Sequence, residues 1–77
     1  MRIEIVDQYS PHLPAVKALG RADAQTLGFF PEGAFEDYAA RRGILVALDD
    51  SDQCLGYLLY RTTRGYALIV HLCVASA

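Results

Sequence analysis

The segment from Tyr66 to Ala77, YALIVHLCVASA, constrains this chain most: apolar and β-branched residues occupy both faces of its pleat. That pattern belongs to a strand covered above and below, because a strand with one wet face alternates apolar and polar residues instead. Nothing follows it in the sequence. A covered strand has a neighbour on each edge, so the expectation is that it lies at an open edge or is completed by another chain.

The rest of the chain reads as one small soluble domain, spanning 1–77. Its 77 residues are 53% hydrophobic and 21% charged, enough for a single core but with a large apolar surface left over at this size. The formal net charge is −2, and Arg2, Lys17, Arg21, Arg41, Arg42, Arg61 and Arg64 are spread along the sequence. No electrostatic footprint for nucleic acid results. The opening MRIEIVDQYS lacks the apolar core of a signal peptide, and the longest apolar run, interrupted by His71, is too short to span a bilayer. A cytoplasmic location is expected, with no membrane and no nucleic acid as partner.

Periodicity gives a β-α-α-β-β-β order. Arg2 to Val6 alternates, with Ile3 and Ile5 on one face, as on a half-exposed edge strand. A helix opens at Ser10-Pro11 or Leu13-Pro14, since proline is tolerated in the first turn. Its apolar stripe runs through Leu13, Val16, Leu19 and Leu27, and Gly28 is its stop. The second helix spans Pro31 to Arg42, with Glu32, Glu36 and Asp37 near its start and Arg41 and Arg42 at its end, complementing the dipole. Asp37 and Arg41 can pair at i,i+4. Phe35, Tyr38 and Ala39 form its buried stripe, and Gly43 ends it.

Three strands follow, Ile44 to Asp49, Cys54 to Thr62 and Tyr66 to Ala75, joined by links short enough for an antiparallel meander. Both faces of this sheet are mostly apolar, while the two helices supply one layer. Cys54 and Cys73 match no metal or redox spacing and read as small core thiols of a reducing compartment. A two-residue turn at Thr63-Arg64 would place Cys54 opposite Cys73, which keeps a disulfide open. Asp49, Asp50 and Asp52 lack the closing Glu of a calcium loop and read as a solvated turn. His71 has no triad partner at a recognisable spacing and reads as a core or interface histidine. Gly56 and Gly65 are isolated and form no phosphate loop.

The succession LGFFPEGAFEDYAARRGILVALDD and then CLGYLLYRTTRGYALIVHLCVASA resembles the N-terminal half of a GNAT-type (GCN5-related) N-acetyltransferase, over nearly the whole chain. The matching features are the Gly56-Tyr57 pair in the second hairpin strand and the Leu72-Cys73-Val74 end of the next. The resemblance implies an α+β domain with an antiparallel sheet, and acetyl transfer from acetyl-CoA to an amine. It also implies that the backbone of Leu72, Cys73 and Val74 faces the cofactor, and that acceptor contacts come from around Leu27 to Pro31, including Phe29 and Phe30. Glu32 and Glu36 are the available bases, although the helix dipole explains them equally well.

The family's Arg/Gln-x-x-Gly-x-Gly/Ala loop, whose N–H groups hold the cofactor pyrophosphate at a helix start, does not occur in these residues. The expectation is a domain truncated before that loop, inactive in acyl transfer as this chain alone. Three readings stay open. The chain is the acceptor side of an acyltransferase completed by a C-terminal half; or a non-catalytic module that dimerises through the strand at 66–75; or the truncated product of a longer gene.

Overall fold

The alternation at the N-terminus is realised as a five-residue edge strand, β1 (Arg2–Val6). A computed structural model describes residues 1–22 and 32–75. After β1 come α1 (Leu13–Ala22), α2 (Glu32–Ala40), β2 (Ile44–Leu48), β3 (Cys54–Thr63) and β4 (Tyr66–Val74). The strands form one antiparallel sheet in the order β1-β2-β3-β4. The fold is α+β, as the sequence pattern predicts.

Of the two possible starts for α1, the chain uses Leu13-Pro14. Ser10 receives the amide of His12 on its hydroxyl at 3.1 Å and the amide of Leu13 on its carbonyl at 3.3 Å, so donors left over at the helix start are satisfied. Pro14 then sits in the first turn, where its missing N–H costs nothing. The predicted stop at Gly28 lies outside the described residues, as does Leu27.

Helix α2 ends differently from the sequence expectation. The amide of Gly43 reaches the carbonyl of Tyr38 at 2.8 Å and that of Arg42 reaches Ala39 at 2.9 Å, the paired bonds of a Schellman motif. The left-handed residue of that motif is Arg42, at φ 59°, and Gly43 lies one position beyond it. Gly43 serves a different need: a Cβ there would stand 2.6 Å from the carbonyl oxygen of Tyr60, too close for the strand pairing at that point.

Both helices lie on one face of the sheet. Val16 from α1 and Phe35 and Ala39 from α2 are buried against Val6, Ile44, Val46, Leu48, Tyr57, Leu59 and Cys73. Each fully buried Val, Leu or Ile of this cluster contributes roughly 1.5–3 kcal/mol. Gly20 lets α1 approach closely, since a Cβ would meet the Phe35 ring at 2.7 Å and the Tyr57 hydroxyl at 2.9 Å. Lys17 bridges the helices to Glu36 at 2.7 Å, and Arg41 pairs with Asp37 at 3.5 Å.

Register closes the disulfide alternative and leaves the reading of two free thiols. The β3-β4 turn is Arg64-Gly65, not Thr63-Arg64, because Thr63 pairs with Tyr66. Arg64 and Gly65 both have positive φ, 37° and 94°, the requirement of the tight hairpin turn that twists with its strands, and glycine meets it without a Cβ penalty. A second shift between Leu59 and Tyr60 leaves Val70 without an opposite residue, as in a β-bulge. Cys73 consequently faces Tyr57, while Cys54 faces Leu48 across β2. Both cysteines are unbridged thiols.

Among the described residues no element covers the sheet's other face. Ile3, Ile5, Leu45, Ala47, Leu58, Leu72 and Val74 follow one another there through cross-strand pairs, and Leu72 and Val74 remain 56% and 69% exposed. No helix among the described residues is long and apolar enough to cross a membrane.

Candidate functional site

Hydrogen-bond alternation decides what β4 can offer a ligand. In an antiparallel pair, every second residue turns both its N–H and its C=O to its partner, and the residues between turn theirs away. The amide of Ala75 donates to the carbonyl of Leu55 at 2.9 Å, in line with the Gly56–Val74 register. Counting back two at a time, Cys73 and His71 bond to β3. The main-chain groups of Leu72 and Val74 therefore point to the edge that, among the described residues, no strand pairs. On the other side of β3, the amide of Tyr60 donates to Gly43 at 2.9 Å, which assigns Leu58 and Gly56 to β2 and agrees with that phase.

The three residues implicated by resemblance are thus not equivalent. Leu72 and Val74 present their backbone outward and their side chains to the uncovered face. Cys73 is buried, 2% exposed, with its side chain under the helices and its main chain committed to the ladder. The strands approach closely here: a Cβ on Gly56 would lie 2.8 Å from the carbonyl oxygen of Cys73 and 3.3 Å from the Cα of Val74. Glycine in the Gly56-Tyr57 pair is a steric requirement of this contact.

On the uncovered face, the small residues Ala47 and Gly56 floor an apolar trough of about 430 Å³ walled by Ile3, Leu55, Leu58 and Leu72. On the helix face, Tyr57 ties the site to the core. Its ring stacks on His71 at 5.7 Å and 27° and meets Phe35 edge-on at 5.6 Å and 75°. His71 is accordingly a packed histidine of the strand.

The remaining candidate residues separate. Leu27, Phe29 and Phe30 lie outside the described residues, and the side chain of Glu32 is not among those described. Glu36 is exposed and engaged by Lys17. Asp49 uses its carboxylate to receive the amides of Ser51 at 2.8 Å and Gln53 at 3.0 Å, which makes it the anchor of a turn. Asp52 pairs with Arg2, which also holds Glu4 at 2.6 Å. Hydrogen bonds to Glu4 and then to Asp52 raise the Arg2 pKa. Among the described residues no group of His, Cys, Asp and Glu is placed to hold a metal ion.

Cys54 is half-buried, and burial pushes its thiol pKa up, partly offset by a hydrogen bond with the Gly56 main chain. It is a protonated packing residue at neutral pH.

Sequence reasoning missed one cluster. Arg41 and Arg42 stand out in the sequence only as dipole complements, yet they share a groove with Arg61, brought there by the Gly43–Tyr60 pairing. A sequence pattern alone carries no signal for that meeting, since it depends on register.

Comparison with protein-family models, with curated proteins and with solved structures finds no match.

Proposed function

We propose that this chain forms the acceptor side and one cofactor-facing wall of an acyl-CoA-dependent N-acyltransferase domain of GNAT type, working in the cytoplasm. The observation that carries the reading is the open edge of β4, where Leu72 and Val74 turn their N–H and C=O outward at the position the resemblance gives to acetyl-CoA. Outward N–H groups can polarise a thioester carbonyl and stabilise the oxyanion that forms when an amine attacks it. The element order β-α-α-β-β-β and the β1-β2-β3-β4 meander support the same reading. Pyrophosphate binding requires a glycine-rich loop and helix start from outside these 77 residues, so this chain alone binds acetyl-CoA weakly. Titration with acetyl-CoA, read amide by amide, tests the proposal: a response at the β4 edge is expected, and a response confined to the helices, or none, overturns it.

A second reading is favoured by a contrast between the two sheet edges. β1 carries Arg2 and Glu4, the charges that discourage edge pairing, whereas β4 has no lysine, arginine, acid or proline from Tyr66 to Val74. Apart from the bulge at Val70, such an edge lacks the features that discourage pairing with another strand. On this reading the domain is an assembly module whose β4 pairs antiparallel with that of a second copy in a two-fold dimer. Light scattering at about 100 micromolar, where a stable small dimer stays associated, gives a dimer on this reading and a monomer without it.

A further inference from the structure

On the β3-β4 hairpin side of the sheet, where the C-terminus of α2 meets β3, a groove of about 280 Å³ is lined by Tyr38, Arg41, Arg42, Gly43, Tyr60 and Arg61. We infer that this groove is an anion site for a small phosphomonoester.

Helix-end arginines ordinarily complement the dipole and its leftover carbonyls. Here the carbonyls of Asp37, Tyr38 and Ala39 are already supplied with main-chain donors. Asp37 and Tyr38 both receive the amide of Arg41, Tyr38 also receives that of Gly43, and Ala39 receives that of Arg42. The carbonyl of Gly43 takes the amide of Tyr60, and that of Arg42 takes the Tyr60 hydroxyl at 3.2 Å. The guanidinium donors are therefore available to a ligand. Asp37 offsets Arg41 at 3.5 Å, while Arg42 and Arg61 meet no carboxylate among the described residues. Two positive charges remain in one groove on a chain whose net charge is −2. That count matches a phosphomonoester dianion, and planar guanidinium groups suit phosphate oxygens through paired N–H donors. By contrast, Arg2 and Lys17 are consumed by Glu4, Asp52 and Glu36. The Schellman turn fixes the backbone of Arg42, so one arm of the site is held by the fold.

The test is a titration of the 77-residue chain with methyl phosphate at about pH 7.5, above its second pKa of about 6, followed by amide shifts at matched ionic strength. Saturable shifts at Gly43, Tyr60 and Arg61 with a Kd of about 1 mM are expected, while acetate, a monoanion, binds at least about tenfold more weakly. The double variant Arg42→Asn, Arg61→Gln keeps a residue suited to positive φ at 42 and should weaken binding at least about tenfold. If that variant does not fold by circular dichroism, Arg61→Gln alone, at an exposed strand position, decides, with a loss of about threefold expected. Absence of saturable shifts, equal binding of acetate, or undiminished binding by the folded variant overturns the site.

Discussion

The carbonyl of Leu55 receives the amide of Ala75 at 2.9 Å, and this one bond fixes which residues of β4 face the open edge. It places Cys73 in the ladder and leaves Leu72 and Val74 with outward main-chain groups, the geometry on which the proposed cofactor wall rests.

Proline substitution separates the two backbone roles. Proline lacks an N–H and is tolerated on an edge strand only where that N–H would point outward. Leu72→Pro should leave a cooperative fold, with a loss of about 1–2 kcal/mol. Cys73→Pro removes a ladder bond and a buried side chain, and should cost about 3 kcal/mol or more. Urea unfolding followed by circular dichroism measures both, and equal losses would contradict the assigned phase.

Gly56 is required by the approach of β3 to β4. In Gly56→Ala the new methyl meets the Cys73 backbone at 2.8 Å, and backbone cannot rotate away as a side chain does. A destabilisation of about 1–3 kcal/mol is expected. Gly33→Ala is the control, because a Cβ there meets nothing within 4 Å and alanine favours helix, so stability should rise by up to about 1 kcal/mol. Thermal melts of the two variants should move in opposite directions.

Cys54 gives the fold a dependence on alkaline pH. Its thiol pKa is raised above the ordinary 9.0 by burial, so the native state holds its proton more tightly than the unfolded chain does. The resulting stability is complete below pH 9 and is lost as pH rises through the folded pKa. Cys54→Ala should lack this part of the alkaline decline, which a comparison of melting temperatures from about pH 7 to 10 would show. Alkylation of the denatured chain without reductant should label both Cys54 and Cys73.

The element order was legible in the sequence because the strands announce themselves by alternation and the turns by their residues. Arg2–Val6 is found as predicted, and the starts at Ile44, Cys54 and Tyr66 coincide with the observed strands. Register was not legible. The position of the β3-β4 turn depends on which two residues accept positive φ, and the bulge at Val70 shifts every pair beyond it, so the predicted Cys54–Cys73 opposition fails. The end of α2 was legible only to within a residue or two, because Gly43 signals a helix stop while its actual constraint is the carbonyl of Tyr60 in another element. Leu72, Cys73 and Val74 could be named from resemblance, but which of them faces outward required the hydrogen-bond phase, and the meeting of Arg42 with Arg61 required the assembled sheet.

The most direct measurement is an acetyl-CoA titration of the 77-residue chain, monitored at every backbone amide and repeated with Leu72→Pro. The expected result is a weak response, with a Kd above about 1 mM, centred on Leu72 and Val74 and lost in the variant. A response no larger on β4 than elsewhere, or tight saturation at micromolar acetyl-CoA that survives Leu72→Pro, would contradict the placement of the acyl-CoA at the open edge of β4.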